Sequence, residues 1–324
     1  MRIGLIGAGA LGALHAVNLE AVPDCRLVAV SSEQISPAAL EASRSTGADT
    51  MGGNEALLDP DRVDAVIIAT PTDTHAHYAL RAIDAGLSVF VEKPLARTPE
   101  EARLVRDRAA ARGVKLAVGH VVRYFPEYAA ARDLVQEGRL GTVSVARLAR
   151  LNTAPAGVGE WYGDVVRSGG VLLDMAIHDV DWCLWTFGPA ARVYAVSAGG
   201  PDGPVVALTI RHTAGTISYI DASWREESFT TRLEVAGTQG LYRADGSGSA
   251  GFTSARGDAQ TYLPPASASD DPYVMELRAA IDWFRGGPPP RATVADACDA
   301  VEVIEAAQRS IDTGRAIALE GALA

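Results

Sequence analysis

Short hydrophobic runs alternate with helical stretches over the first 120 residues. Five runs have the composition of strands: Arg2–Ile6, Arg26–Val30, Asp64–Ala69, Ser88–Val91 and Lys115–Val118. Four stretches between them are predicted helices: Ala10–Ala21, Pro37–Thr46, Thr74–Ala85 and Pro99–Arg112. Runs that are apolar on both faces, such as residues 66–69, are typical of a parallel sheet covered on both sides. The alternation therefore predicts right-handed crossovers and a doubly wound α/β domain.

The pattern changes after residue 120. A helix is predicted over Pro126–Gln136, and a second over Val171–Phe187. The other segments alternate hydrophobic and polar residues and read as strands: Thr142–Leu151, Val193–Ser197, Val205–Arg211, Thr216–Trp224, Arg232–Ala236 and Leu241–Arg243. Gly, Pro, Asp and Ser separate these strands, which favours hairpins and a largely antiparallel sheet.

The remainder of the chain contains a loop region and two closing helices. Ser247–Ser269 is rich in small residues and predicts loops, whereas Tyr273–Arg285 and Thr293–Thr313 predict helices. We therefore expect two domains, residues 1–120 and an α+β domain of residues 121–324, with the last helix packing back toward the first domain. The second sheet is expected to leave one face open, which favours a homodimer or homotetramer assembled through that face.

Composition narrows the function classes. The chain has 324 residues, 48% hydrophobic and 21% charged, with a net charge of −11, which argues against a nucleic-acid partner. No window of 18 apolar residues predicts a membrane span. Three widely spaced cysteines fit a reducing compartment, here the cytoplasm, and predict neither disulfides nor a metal site. Residues 1–21 superficially resemble a signal peptide, but they read as strand, glycine turn and helix.

A glycine-rich loop lies between the first predicted strand and helix. Its sequence is Gly7-Ala8-Gly9-Ala10-Leu11-Gly12. In this position Gly7 permits a tight turn, Gly9 lets the backbone approach a pyrophosphate, and Gly12 allows close packing of helix and strand. The free N–H groups of the helix then receive the anion. All six residues are predicted to bind a dinucleotide.

The end of the second strand leaves the choice between NAD and NADP open. Binding of the NAD ribose usually uses an acidic residue here. This chain has Ser31, which leaves room for a 2′-phosphate, yet Arg44 is the nearest cation downstream. Glu33 is an alternative partner for a ribose hydroxyl.

The tripeptide Glu92-Lys93-Pro94 directly follows a predicted strand. Ligands of parallel sheets bind beyond the carboxyl ends of the strands, where this tripeptide lies. Lys93 is one of only two lysines among 29 basic residues, so a compact ammonium group is indicated. Glu92 and Lys93 are predicted to line the cofactor, together with three residues that end the preceding strand and a histidine that opens the next helix: Thr70, Pro71, Thr72 and His75.

Asp174 and His178 lie four residues apart on a predicted helix. At this spacing the two side chains share a face, about 5–6 Å apart. An aspartate beside an imidazole orients the ring and stabilises its protonated form, as a general base requires. We interpret the pair as catalytic because it accompanies a nucleotide-binding fold and Lys93.

Taken together, these motifs resemble the glucose–fructose oxidoreductase, inositol dehydrogenase and rhizopine catabolism (Gfo/Idh/MocA) family. The resemblance spans the chain, from the glycine loop through Ala69-Thr70-Pro71 and Val118-Gly119-His120 to Ser310–Arg315, and residues 174–179 are similar to its inositol dehydrogenase-like branch. It implies an N-terminal Rossmann domain and NAD(P)-dependent oxidation or reduction of a sugar or polyol. The departures are Ser31 at the usual acidic position and Val121-Val122 where polar residues are common.

The resemblance implies a catalytic group of Lys93, Asp174 and His178, which also contact substrate. His178 is expected to take the hydroxyl proton, and Lys93 to stabilise the developing alkoxide. Asp174 is expected to orient His178. Arg123, Trp161 and Tyr162 are further candidate substrate contacts.

Two alternatives differ in function class. Some proteins of this fold hydrolyse glycosides through a transient oxidation with tightly bound NAD, and others are sensors that bind a nucleotide without chemistry. Loss of the lysine or histidine is typical of a sensor, and this chain keeps both. The sequence therefore favours a dehydrogenase or reductase.

Overall fold

A computed structural model describes residues 1–33, 37–154, 161–200, 203–246, 250–254, 259–261 and 271–319. Two structural units are present. One comprises Met1–Val121 and Ser267–Cys298, and the other comprises Val122–Ala266 and Asp299–Ala324.

The first unit contains a six-stranded sheet in which every pair is parallel. Its strands are β1 (Arg2–Ile6), β2 (Arg26–Ser32), β3 (Asp49–Gly52), β4 (Ala65–Ile68), β5 (Ser88–Glu92) and β6 (Leu116–Gly119). The connecting helices are α1 (Ala10–Asn18), α2 (Pro37–Thr46), α3 (His75–Asp84) and α4 (Pro99–Arg112). The strand order β3-β2-β1-β4-β5-β6 confirms the predicted doubly wound sheet.

Local signals explain where the helices of this unit begin and end. In α4, Thr98 accepts a hydrogen bond from the Glu101 N–H, and Pro99 occupies the first turn. The helix ends at Gly113, whose φ of 64° lies in the left-handed region that glycine favours. The edge strand β3 was not predicted, because it has only four residues and they are mixed in polarity.

The second unit is built on a nine-stranded sheet. It begins with α5 (Pro126–Gln136) and β7 (Val143–Thr153), followed by α6 (Val165–Ser168), a π-helical turn at Leu172–Ala176, and α7 (Ile177–Phe187). The next strands are β8 (Ala190–Ala198), β9 (Val205–His212), β10 (Ile217–Ser223), β11 (Arg225–Gly237), β12 (Gly240–Ala244), β13 (Ala250–Ser254) and β14 (Ala259–Thr261). The chain continues with α8 (Pro272–Phe284) of the first unit, then α9 (Val294–Thr313) and β15 (Ile317–Ala318). Short 3-10 turns occur at Leu19–Ala21, Asn54–Leu57, Thr72–Thr74 and Val121–Tyr124.

This second sheet is largely antiparallel, as predicted. Its order is β14-β13-β12-β11-β7-β10-β9-β8-β15, and β7 with β10 is the parallel pair among the described strands. One face packs into a core with α5, α7 and α9, to which Leu148, Ile220 and Trp182 contribute. The opposite face exposes larger side chains, including Tyr194 and Tyr219. The strands therefore alternate buried and exposed positions, the pattern from which the sheet was predicted.

Two findings differ from the sequence expectations. Ser247–Ser269 was expected to form loops, but β13 and β14 pair at the sheet edge within it, and the rest of that segment lies outside the described residues. Second, α8 groups with the first unit, although the sequence placed everything after residue 120 in the second domain. Its buried Leu277 and Ile281 belong to a core cluster that includes Ile3 and Leu5, and this long-range packing has no local sequence signal.

Candidate active site

The glycine loop has the geometry of an anion cradle. Gly7 has a φ of 92°, and a Cβ there would lie 2.6 Å from the carbonyl oxygen of Ala69. A Cβ at Gly12 would collide with the carbonyl oxygen of Gly7, whereas one at Gly9 would meet no atom within 4 Å. Gly7 and Gly12 are thus required by the fold, and Gly9 leaves open space at the start of α1.

The first helix of the chain, α1, begins at this opening. Gly9 is the N-cap of α1 and, as a glycine, has no side chain to cap the helix. The first turn holds no acidic residue. Ala8 is buried, Gly9 and Ala10 are exposed, and Leu11 is half-buried. The N–H groups and the positive dipole of a helix N-terminus fit the pyrophosphate of a dinucleotide.

The end of β2 presents an acidic side chain. Ser31 is fully buried and donates a hydrogen bond to Asn54 Oδ1 at 3.2 Å. Glu33 directly follows the strand, and its Oε1 accepts a hydrogen bond of 2.7 Å from the Tyr78 hydroxyl. Arg44 is largely exposed and lies 3.8 Å from Glu41 on its own helix. The carboxylate beside this strand end is therefore Glu33.

The segment after β4 is held by its own hydrogen bonds. Thr70 and Thr72 are buried, Pro71 is half-buried, and the Thr74 hydroxyl donates to Thr70 Oγ1 at 2.8 Å. His75 is buried as well, and its ring nitrogens lie 2.7 Å from the Pro94 carbonyl oxygen and 2.9 Å from that of Thr70. Burial lowers the pKa of His75, against the opposing effect of these two carbonyls. His75 therefore bonds to the backbone around the predicted site.

Lys93 follows β5 and is half-buried, and the Lys93–Pro94 peptide bond is cis. The adjacent Glu92 is buried, and its Oε1 lies 2.6 Å from Nε2 of the fully buried His15 on α1. Its Oε2 accepts the backbone N–H of Lys93 at 3.2 Å. Sequence reasoning missed His15, although a histidine within an otherwise apolar helix was an available signal.

Asp174 and His178 lie in the second unit. Both are partly exposed, and every other residue from 171 to 183 is buried. The expected α-helical spacing differs in the structure, because Asp174 falls within the π-helical turn at Leu172–Ala176 and His178 in the first turn of α7. Such π turns occur frequently at functional sites. The turn nevertheless keeps both side chains on the solvent-accessible side.

Asp174 contacts one member of a group of aromatic side chains. The Tyr162 hydroxyl donates to Asp174 Oδ1 at 3.4 Å, and the Trp161 and Tyr162 rings are 4.1 Å apart. Trp224, at the end of β10, meets Tyr162 edge to face at 6.4 Å. Trp224 was not predicted from the sequence, because it lies 62 positions from Tyr162 in the chain. The three rings form an aromatic group beside a carboxylate.

Two arginines near this helix bond to buried aspartates. Arg123 is fully buried, and its Nε and Nη2 lie 2.8 and 2.7 Å from the carboxylate of Asp181. Arg150 is joined to Asp179 in the same bidentate way, at 3.0 and 2.9 Å. Arg123 was expected to contact substrate, but the structure places its guanidinium in the protein interior, bonded to α7.

Comparison with known proteins decides the family. A family model described as "Oxidoreductase family, NAD-binding Rossmann fold" matches residues 1–120, and the "GFO/IDH/MocA C-terminal domain" model matches residues 128–243. The chain belongs to the Gfo/Idh/MocA family. It is therefore an oxidoreductase with an NAD-binding Rossmann domain, as the sequence predicted.

Individual Gfo/Idh/MocA relatives match over nearly their full length. The chain is 31% identical to inositol 2-dehydrogenase of Rhizobium meliloti strain 1021, covering 98% of this chain and 99% of the relative. It is also 31% identical to scyllo-inositol 2-dehydrogenase (NAD(+)) of Bacillus subtilis strain 168, covering 99% and 96%. Among solved structures, GenD2 from gentamicin A biosynthesis in complex with NAD is 29% identical, with a TM-score of 0.87 and coverage of 99% and 97%.

The described part of this Gfo/Idh/MocA chain contains no candidate metal site, disulfide or membrane-spanning helix. No group of three or more His, Cys, Asp or Glu side chains there could hold a metal ion. Cys25, Cys183 and Cys298 are not joined in disulfides. No helix among the described residues is long and apolar enough to cross a membrane.

Proposed function

We propose that this chain is an NAD-dependent dehydrogenase that transfers a hydride between nicotinamide and a carbinol carbon of an inositol, sugar or related polyol. The observation that carries the proposal is the exposure of Asp174 and His178 from an otherwise buried segment. Because the rest of the segment is packed in the core, these two polar side chains are the ones on it that a ligand can reach, and a carboxylate beside an imidazole is a combination suited to proton transfer. The glycine cradle and the exposed end of α1 support the cofactor.

Each proposed catalytic residue has a distinct role. Bound nicotinamide supplies the hydride acceptor or donor, so the protein handles the proton and the charge. During oxidation His178 takes the hydroxyl proton as general base. Lys93 donates a hydrogen bond to the reacting oxygen and stabilises its negative charge. Asp174 orients His178 and accepts a hydrogen bond from another substrate hydroxyl.

The cofactor we propose is NAD rather than NADP. Glu33 is the acidic residue at the end of β2, and the Tyr78 hydroxyl holds its carboxylate at 2.7 Å. A carboxylate here accepts hydrogen bonds from ribose hydroxyls and repels a 2′-phosphate. The backbone of the glycine loop, Gly7 to Gly12, binds the pyrophosphate. Thr70, Pro71 and Thr72 line the cofactor beside it.

The proposed substrate class follows from the side chains around Asp174. Aromatic rings have apolar faces, and Tyr and Trp add a polar group at one edge. Trp161, Tyr162 and Trp224 therefore suit the C–H faces of a polyol, while Asp174 suits its hydroxyls. The relatives named inositol dehydrogenases support a cyclic polyol as the first substrate to test.

One sequence-derived substrate contact and one departure from the family pattern receive structural roles in this proposal. Arg123 orients α7 through Asp181, because its guanidinium is buried and bonded there. Val121 and Val122 are also buried, so we assign them to packing.

We further propose a homo-oligomer formed through the open sheet face, supported by exposed Tyr194, Val196 and Tyr219. The three cysteines, which are not joined in disulfides, support a reducing, cytoplasmic location.

The test measures turnover of inositols, aldoses and sugar acids with NAD and with NADP. The absorbance of NADH or NADPH reports the turnover. His178→Ala should lower kcat by about 10²–10⁴-fold while NADH binding stays unchanged, because it removes only the proton acceptor. His77→Ala is the matched control, since His77 is an exposed histidine that bonds to Glu55 at 3.3 Å.

The other function classes give different results in the same assay. Unchanged turnover in His178→Ala would exclude its role as the base. Cleavage of a glycoside without net NADH formation would indicate the hydrolase, and NADH binding without turnover of any substrate would indicate the sensor.

A further inference from the structure

Two buried histidines bond to the residues on either side of Lys93. His15, on α1, contacts Glu92, which precedes the lysine. His75, at the start of α3, contacts the carbonyl of Pro94, which follows it. Both rings are buried, at 0% and 2% exposure, so neither is placed to exchange protons with a substrate.

On the Glu92 side, one carboxylate links a helix to the lysine backbone. His15 Nε2 lies 2.6 Å from Oε1, and the backbone N–H of Lys93 donates to Oε2 at 3.2 Å. A carboxylate oxygen accepts hydrogen bonds, so the His15 tautomer that fits this contact carries its N–H on Nε2. The carboxylate is also enclosed by β6, because a Cβ at Gly119 would lie 3.0 Å from it. The peptide between Glu92 and Lys93 is therefore held from α1.

On the Pro94 side, one imidazole bridges two strand ends. His75 Nδ1 lies 2.7 Å from the Pro94 oxygen, and Nε2 lies 2.9 Å from the Thr70 oxygen. Thr70 follows β4 and Pro94 follows β5, which are neighbours in the sheet. A neutral imidazole carries one N–H and can donate to only one of the two carbonyls. For His75 to act on Lys93, its N–H must be on Nδ1, which donates to the Pro94 carbonyl.

We propose that His15 and His75 are positioning residues that fix the backbone of Lys93 and thereby place its ammonium group for hydride transfer. The inference rests on the catalytic role proposed for Lys93. The ammonium group of lysine is joined to the backbone through a four-carbon stem, so a shift of the Cα–Cβ bond shifts the whole region that the ammonium group can reach. A displacement of about 1 Å in a catalytic group can cost on the order of 10²-fold in rate.

Paired amide substitutions separate positioning from general stability. The Gln amide nitrogen approximates the Nε2 position of histidine, and the Asn amide nitrogen approximates Nδ1. His15→Gln should therefore keep the bond to Glu92, and His15→Asn should lose it. At residue 75 the order reverses: His75→Asn keeps the bond to Pro94, and His75→Gln keeps only the bond to Thr70.

The experiment measures kcat per NADH-binding site, KM, and the Tm of the full-length enzyme for these four variants. We expect His15→Asn and His75→Gln to lose about 10–100-fold in kcat, with KM changed much less, because a displaced ammonium affects the transition state. His15→Gln and His75→Asn should each keep a higher kcat than their partners. Normalising to bound NADH removes the effect of unfolded protein.

The matched control is a third buried histidine. His212 lies in the second unit, with its nitrogens 2.8 Å from the Gly188 carbonyl and 2.9 Å from Ser218 Oγ. His212→Asn and His212→Gln should lower Tm without changing kcat per NADH-binding site. A purely structural role for His15 and His75 predicts this same behaviour at those positions.

Lys93→Met separates the two levels of the proposal. If Lys93→Met loses kcat while Asn and Gln have equal kcat at both residue 15 and residue 75, the positioning inference is overturned and the function stands. If Lys93→Met keeps its kcat, the role of Lys93 falls and the inference falls with it. The inference is supported if Lys93→Met loses kcat, if His15→Gln has a higher kcat than His15→Asn, and if His75→Asn has a higher kcat than His75→Gln.

Discussion

The guanidinium of Arg123 and the carboxylate of Asp181 form an ion pair whose two side chains are each about 1% exposed. Two hydrogen bonds of 2.8 and 2.7 Å join them. The Arg123 guanidinium also lies 5.1 Å from the centre of the Trp185 ring. Since Asp181 lies three residues after His178, the pair holds the helix that carries the proposed base.

Removing one member of this pair should destabilise the protein strongly. Arg123→Met removes the two hydrogen bonds that the guanidinium makes to the buried Asp181 carboxylate, and breaking such a pair typically costs about 3–5 kcal/mol. The double variant Arg123→Met, Asp181→Leu should recover much of this loss, because the buried carboxylate is removed as well. Urea unfolding measures both.

An exposed pair provides the comparison. Arg103 lies 2.7 Å from Glu100 on the surface of α4. Arg103→Met should change the free energy of unfolding by less than about 1 kcal/mol. Equal losses for Arg123→Met and Arg103→Met would contradict the structural role of Arg123.

Gly9 and Gly12 should respond differently to the same added methyl group. Gly12→Ala forces a Cβ against the Gly7 carbonyl and should lower Tm. At Gly9 the Cβ meets no protein atom within 4 Å, and the φ of −76° suits alanine. Gly9→Ala should therefore keep Tm and weaken NADH binding about tenfold or more, since close backbone approach to the pyrophosphate is lost.

NADH fluorescence titration and thermal unfolding separate these two effects. Unchanged NADH affinity in a folded Gly9→Ala protein would show that the pyrophosphate does not lie against Gly9.

Glu33 should control the choice between NAD and NADP. Glu33→Ser removes the carboxylate that repels a 2′-phosphate, so the ratio of kcat/KM for NADP to that for NAD should rise about tenfold or more. Steady-state kinetics with both cofactors measure the ratio. Glu41→Gln removes an equal charge from an exposed position on α2 and should leave the ratio unchanged. A ratio that stays constant in Glu33→Ser would mean that another residue selects the cofactor.

Acid should destabilise the fold through two buried histidines. Burial lowers the pKa of His75 and of His212, so the unfolded chain binds protons more readily than the folded one. Their stabilising contribution is complete above the ordinary histidine pKa of about 6.5 and is lost as pH falls through the folded values. Asp221, whose pKa is raised by burial, acts in the opposite direction, because the folded protein binds its proton more readily than the unfolded chain does.

The measurement is the urea midpoint between about pH 8 and pH 5.5, where these histidines change charge. The midpoint should fall with acidification, and His212→Gln should reduce the slope. A midpoint that is constant over this range would contradict the prediction.

Local sequence patterns were sufficient to predict most strands and helices of the first unit. The predicted bounds of Arg2–Ile6, Pro37–Thr46 and Pro99–Arg112 match β1, α2 and α4. These elements carry their own signals, such as a buried apolar run or an N-cap followed by proline. The glycine loop was recognisable for the same reason, because its turn, its predicted anion site and the helix start lie within six residues.

Long-range contacts were beyond such patterns. Arg123 was predicted to contact substrate, and its partner Asp181 lies 58 positions away. His15 was not singled out, and its partner Glu92 lies 77 positions away. A sequence shows that a charged or polar residue is present, but it does not show which distant group will lie within hydrogen-bonding distance.

By itself, then, the sequence determined the α/β class, the position of the loop proposed to bind the nucleotide and the types of residue available for proton transfer. Those features depend on dihedral preferences and periodicity over about 5 to 15 neighbouring residues. Only the tertiary structure decided that Arg123 is a buried partner of Asp181, that Trp224 joins Tyr162, and that His15 meets Glu92. Packing made these decisions, because a buried polar group must find its hydrogen-bond partner wherever the fold brings one near.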